Sequence, residues 1–134
     1  TSASYHFFPF SLFNMPNGLL LHKPNTKKEF QGDDTFAIGS MQGWRNSNED
    51  AWQQFTPVHH YSYYAIFDGH NGIETAKNAA KYLHQYLQES FDKIKTAIDL
   101  HSFHQVIKET FVRLDQNLKD IVKDESGATC VRTL

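Results

Sequence analysis

The stretch Tyr61–Phe91, YSYYAIFDGHNGIETAKNAAKYLHQYLQESF, changes its hydrophobic period midway. Tyr61 to Asp68 is rich in aromatic and apolar residues and ends at a turn-former, the composition of a strand. After Gly69-His70-Asn71-Gly72 the apolar residues Ile73, Ala76, Ala80, Leu83, Leu87 and Phe91 recur at spacings of three and four, giving one stripe on a helix. The spacing predicts a helix over about Gly72–Phe91. A carboxylate, Asp68, therefore leaves the end of a strand where the chain turns into a helix.

Working outward, Thr35–Gln42 (TFAIGSMQ) reads as a second strand and the residues between the two strands as their connection. Another amphipathic helix begins where Ser102 and Gln105 make a capping box. It carries Phe103, Val106, Ile107, Thr110, Phe111, Leu114, Leu118 and Ile121 to about Lys123. GATCVRTL reads as a closing strand over Ala128–Leu134. Met15–Asp34, with its Asn-Gly, Lys-Pro and Gly-Asp-Asp clusters, reads as a connecting arm. The aromatic opening SYHFFPFSLF lacks the features of a signal peptide and reads as an extended segment. Two strands, two helices and a strand imply an α+β fold, with the helices on one face of a largely antiparallel sheet. The last strand has nothing after it to turn back and pair, and the first residue is Thr rather than Met, so an incomplete sheet and a fragment are expected.

Composition excludes several classes. The chain has 134 residues, enough for one domain with a core, and a formal charge of only −2 with both signs interspersed. Neither a nucleic-acid face nor attraction to anionic lipid follows. One cysteine, no Asn-x-Ser/Thr acceptor and no long apolar run argue against a disulfide scaffold, a glycosylated secreted domain and a membrane span. The expected compartment is intracellular, cytoplasmic or nuclear.

SMQGWRNSNEDAW, Ser40–Trp52, adds Arg45, Glu49 and Asp50 to the chemistry of Asp68. If the first strand pairs with the second, these acids reach one sheet edge, where converging carboxylates repel unless protonated or bridged by metal. Neighbours in an extended chain point to opposite sides, so Glu49 and Asp50 are not expected to be equivalent ligands. Oxygen donors suit Mg²⁺ or Mn²⁺ rather than zinc. Arg45 could then grip two phosphate oxygens with its planar fork. Spacing alone equally accommodates a surface pair of Arg45 with Glu49 and an Asp68 that merely caps the next helix. Asp-Gly is a common turn dipeptide.

SMQGWRNSNEDAW, YAIFDGHNGIETA (Tyr64–Ala76) and SGATCVRTL (Ser126–Leu134) together closely resemble, in order and spacing, the opening motifs of the metal-dependent protein serine/threonine phosphatases of type 2C. FVRLDQNL in the second helix and LLHKPNTKKEF ahead of the first strand are similar to the family's corresponding segments, so the resemblance spans Leu20–Leu134. It implies an N-terminal arm or lead-in over 1–34, and over 35–134 the N-terminal part of a catalytic domain built as a four-layer α-β-β-α sandwich. It implies hydrolysis of phosphoserine and phosphothreonine in protein substrates, with two Mg²⁺ or Mn²⁺ ions. Asp68 matches the carboxylate that bridges both ions, Glu49 and the Gly69 carbonyl match further ligands, and Asp50 matches a carboxylate that orients metal-bound water. Arg45 matches the phosphate-binding arginine and His70 the general acid, while Thr129 lies near the metals. Family catalytic domains are about twice this length, and the later portion supplies two further aspartates. The isolated chain is therefore expected to be weakly active or inactive, and to dimerise or swap through an unpaired strand edge. A non-catalytic scaffold that keeps the fold for binding is the alternative reading.

Other polar residues have plainer readings. Cys130 sits in an apolar strand without a phosphate loop and is expected to be a buried structural thiol. His59 and His60 are read as loop residues, His101 and His104 as surface histidines.

Overall fold

The computed structural model describes residues 20–58, 61–94 and 99–133, and within them the chain packs as two units, 1–48 and 49–134. The aromatic opening segment and His59-His60 lie outside the described residues.

The first unit is an antiparallel pair, β1 (Leu20–Gly32) and β2 (Ala37–Arg45), in register from Gly32↔Ala37 to Lys28↔Met41. Beyond that the ladder shifts at Asn25 and again before Leu20↔Arg45. Gly43, opposite Asn25, takes φ 66°, a left-handed conformation that glycine adopts at no steric cost where a strand bulges. The turn is built by Asp33, whose carboxylate accepts from the Thr35 amide (2.7 Å) and the Thr35 hydroxyl (2.6 Å). Thr35's hydroxyl, foremost, holds the Asp33 carboxyl below its usual range. Residues 20–32 are thus a strand where the turn-forming dipeptides predicted an arm. Pro24 and Asn25 fall in the irregular part of the ladder, where a missing donor is tolerated, and the hairpin partner extends the rest.

The second unit is a three-stranded antiparallel sheet in the order β3-β4-β5, with β3 at Ala51–Val58, β4 at Tyr61–His70 and β5 at Gly127–Thr133. Central β4 pairs Phe67 with Ala51 on one side and with Cys130 on the other. Two corrections follow. AWQQFTPV is a strand rather than a connection, and the partner of β4 is this strand, not β2. Its glutamines and Pro57 weaken the strand signal, whereas cross-strand packing of Phe55 opposite Tyr63 supports it.

Helices α1 (Glu74–Asp92) and α2 (Leu100–Ile121) follow β4 directly in sequence, α1 lying on the sheet and α2 beside α1. Alternation along β4 sends Tyr63, Ala65 and Phe67 into the core, and they meet the α1 stripe Ala76, Ala79, Ala80, Leu83, Leu87 and Phe91. Alanines at the N-terminal end of that stripe let the helix approach the sheet closely. Ile107, Leu114 and Leu118 of α2 close the core from beyond. Fully burying each leucine is worth about 1.5–3 kcal/mol. Thr110, also buried, donates its hydroxyl to the Val106 carbonyl at 2.7 Å and lies 2.7 Å from Ser90 Oγ on α1. The α2 cap is Asp99, accepting from the Ser102 amide at 2.7 Å, rather than Ser102 itself; the helix starts at Leu100, so Ser102 lies inside its first turn and supplies a backbone donor.

Candidate active site at the ends of β4 and β5

The predicted site residues of the second unit gather where β4 ends and β5 begins. Because Phe67 points to the helices, Asp68 points to the opposite face, where it is exposed. Its register partner on β5 is Thr129, exposed on the same face. At the neighbouring strand, Ala51 partners Phe67, so the residues bordering that pair at the strand end are Asp50 and Asp68. Asp50 is exposed and Glu49 half-buried.

Gly69 fits beneath the backbone of Glu49. A Cβ placed there would strike the Glu49 carbonyl and come to 3.3 Å from the Ala76 methyl on α1. The absent side chain thus lets the segment before β3, β4 itself and helix α1 meet at one point. His70 is exposed and pairs with Gly127 on β5, and its imidazole lies over that glycine: a Cβ there would be 2.7 Å from Cε1. Asn71 (φ 58°) and Gly72 (φ 124°) then turn the chain through left-handed conformations into α1.

The start of α1 is capped from elsewhere. Ile73 at the cap position offers no side-chain acceptor, and the Thr75 amide instead donates to Ser126 Oγ at 3.0 Å. Thr75's own hydroxyl donates to the Ser126 carbonyl at 2.8 Å. Ser126 is oriented by Asp124, which accepts from its hydroxyl at 2.5 Å and its amide at 3.0 Å. That hydroxyl, foremost, holds the Asp124 carboxyl below the usual carboxylate range. The sequence reading passed over Asp124, Ser126 and Thr75. The Asp-x-Ser spacing carried a turn signal, but nothing in it indicated a helix cap 51 positions away.

Arg45 ends β2 in the first unit. Its side chain is exposed and its carbonyl accepts from Gln42 Nε2 at 2.8 Å. Cys130 points to the helix side, half-buried against the core, and burial pushes its thiol up, away from the thiolate a nucleophile needs. His101 and His104 are exposed. Among the described residues no three His, Cys, Asp or Glu side chains stand close enough together to hold a metal ion. The donors that are present, exposed carboxylates and backbone carbonyls, have the hard-oxygen chemistry of a Mg²⁺ or Mn²⁺ site but are few for tight binding.

An antiparallel sheet carrying two adjacent helices, with acidic residues at its strand ends, defines an α+β domain with a polar rim. Residues 34–134 match the model of the family described as Protein phosphatase 2C. The chain belongs to that family. It is 35% identical over 108 residues to a probable protein phosphatase of Drosophila melanogaster, covering 77% of this chain and 16% of that protein. It is 33% identical over 107 residues to a probable protein phosphatase 2C of Oryza sativa subsp. japonica, covering 76% and 28% respectively. Against human protein phosphatase 1A the identity is 27% over 132 residues, covering 87% and 35%. The chain thus spans well under half the length of these relatives. A solved structure of a C. elegans sex determining protein shares the fold, with a TM-score of 0.52 at 18% identity over 84% of this chain and 27% of that one.

Proposed function

We propose that these residues are the N-terminal part of a phosphatase catalytic domain that hydrolyses phosphoserine and phosphothreonine in protein substrates. The observation that carries this reading is the placement of Asp68 opposite Thr129 at the strand ends, with Asp50 bordering the same rim and the Glu49 carbonyl seated on Gly69. Family membership supports it.

In this reading Asp68, Glu49 and the Gly69 carbonyl hold Mg²⁺ or Mn²⁺, and Asp50 orients the attacking water. When bound, the ions lower the pKa of water and neutralise phosphoryl charge. Arg45 binds two phosphate oxygens through its guanidinium fork. As the water oxygen bonds to phosphorus and the ester P–O bond breaks, His70 gives its proton to the departing serine or threonine oxygen. The proton shed by the water restores the imidazolium, leaving inorganic phosphate and a free hydroxyl.

With so few protein oxygens, the 134 residues alone bind the ions weakly and turn over little substrate. The edges of the described sheet, β3 and β5, are where a further strand adds, including one from a second copy. A reducing intracellular compartment suits the single half-buried thiol.

The test is a phosphopeptide assay with Mn²⁺ on the full-length protein that carries this chain, with and without Asp68→Ala. Metal-dependent turnover abolished by the substitution is expected. An inert full-length protein would make the scaffold reading correct instead. Robust turnover by the 134-residue chain alone would contradict the claim of an incomplete site, and light scattering that stays monomeric with concentration would contradict edge pairing.

A further inference from the structure

We propose that Asp124, Ser126 and Thr75 form a positioning device for His70, an inference that rests on the phosphatase reading. The Ser126 hydroxyl stands between two segments, donating to Asp124 and accepting from the Thr75 amide in the first turn of α1. Thr75 also donates its hydroxyl to the Ser126 carbonyl, so the start of α1 and the start of β5 are joined by two hydrogen bonds, both donated by Thr75. His70 lies between these two anchored points. Only Asn71, Gly72 and Ile73 separate it from α1, and its ring rests on Gly127, the residue next to Ser126.

The Asn71-Gly72 link turns the chain through left-handed backbone from β4 into α1. The α1 cap residue adds no side-chain bond to hold it. Ladder pairing of His70 with Gly127 seats the imidazole on β5, and the Ser126 staple ties the start of α1 to that same strand end, so the turn carrying His70 is held from both sides. Displacing a proton donor by about 1 Å costs on the order of 10²-fold where the donor is used in the transition state. None of the three residues touches substrate in this scheme; each acts through the placement of His70.

The test compares two leaving groups in the full-length protein. A threonine alkoxide needs protonation as it departs, whereas p-nitrophenolate departs unaided, so a misplaced His70 slows only the first. Ser126→Ala and Thr75→Val are expected to lower kcat on a phosphothreonine peptide about tenfold. On p-nitrophenyl phosphate the expected change is under about twofold, with KM unchanged on both. Thr75→Ser, which keeps the hydroxyl, restores the peptide rate. Equal losses on both substrates would reduce the cluster to a folding element and overturn the proposal, as would no loss on either. Hydrogen exchange on the same proteins gives a readout without activity. The Thr75 amide is expected to exchange at least about tenfold faster in Ser126→Ala; unchanged exchange would show that no staple exists. If wild type cleaves neither substrate, the phosphatase reading fails, and this inference with it, whatever the exchange data show.

Discussion

Across the β4–β5 ladder Asp68 stands directly opposite Thr129, both exposed on the sheet face turned away from the helices. An opposed pair of this kind keeps its Cβ atoms about 4.5–5.5 Å apart, so the threonine hydroxyl is within reach of whatever the carboxylate binds. Thr129→Val keeps the shape and β-branching while removing the hydroxyl. The full-length protein is expected to keep its melting temperature within about 2 °C and to lose phosphopeptide turnover. Unchanged kcat and Mn²⁺ dependence would remove Thr129 from the site.

Gly69→Ala tests the close approach of Glu49. The added methyl meets the Glu49 carbonyl and the Ala76 side chain, neither of which is the free end of a flexible chain. Destabilisation of about 1–3 kcal/mol is expected from chemical denaturation. A neutral effect would mean that Glu49 does not lie over Gly69.

Tyr63 is fully buried, its hydroxyl has no hydrogen-bond partner among the described residues, and burial pushes the phenol up from its usual range. Removing an unsatisfied buried donor while keeping the ring is expected to be neutral or stabilising by about 1 kcal/mol, so Tyr63→Phe raises the denaturant midpoint or leaves it unchanged. A loss above about 1 kcal/mol would reveal a bond made by the hydroxyl.

His84 stacks on Phe55 at 3.3 Å between ring centroids, and its Nδ1 is buried without a partner among the described residues. Desolvation lowers its pKa, so the unfolded chain binds the proton more readily than the folded one. The stability from a neutral His84 is therefore complete above the ordinary histidine range, about pH 6.5, and declines as pH falls below it. His84→Phe is expected to flatten the melting temperature between pH 7 and 5, measured by circular dichroism. A wild-type and variant pair with parallel pH profiles would contradict this.

Asp99 caps α2 through the Ser102 amide, which holds its carboxyl below the usual range. Asp99→Ala is expected to cost about 1 kcal/mol, and Ser102→Ala much less, because the serine supplies a backbone donor rather than the cap. The reverse order would restore Ser102 as the cap.

Both helices and β4 could be read directly because each has a period set by one buried face: Leu83, Leu87 and Phe91 on α1, Ile107, Leu114 and Leu118 on α2, and Tyr63, Ala65 and Phe67 on β4; β2 and β5 were read from composition and their bounding turns. β1 and β3 were missed for the converse reason. Residues 20–32 are largely exposed, and Gln53, Gln54 and Pro57 interrupt the alternation of β3, so neither carries a clean hydrophobic signal. Both are held by ladder bonds to a stronger partner, which no local pattern records.

The residue types of the candidate site were set by the sequence alone: an acid and a glycine at the end of a strand, a histidine after them, and hard oxygen donors that suit a divalent cation. Tertiary structure decided their neighbours. That β3, not β2, pairs with β4, that the Glu49 carbonyl fills the space over Gly69, and that Ser126 caps α1 all depend on contacts between segments distant in the chain. Hydrophobic period is a local property and survives in a one-dimensional string, whereas register and capping from a distant segment exist only once the chain has closed on itself.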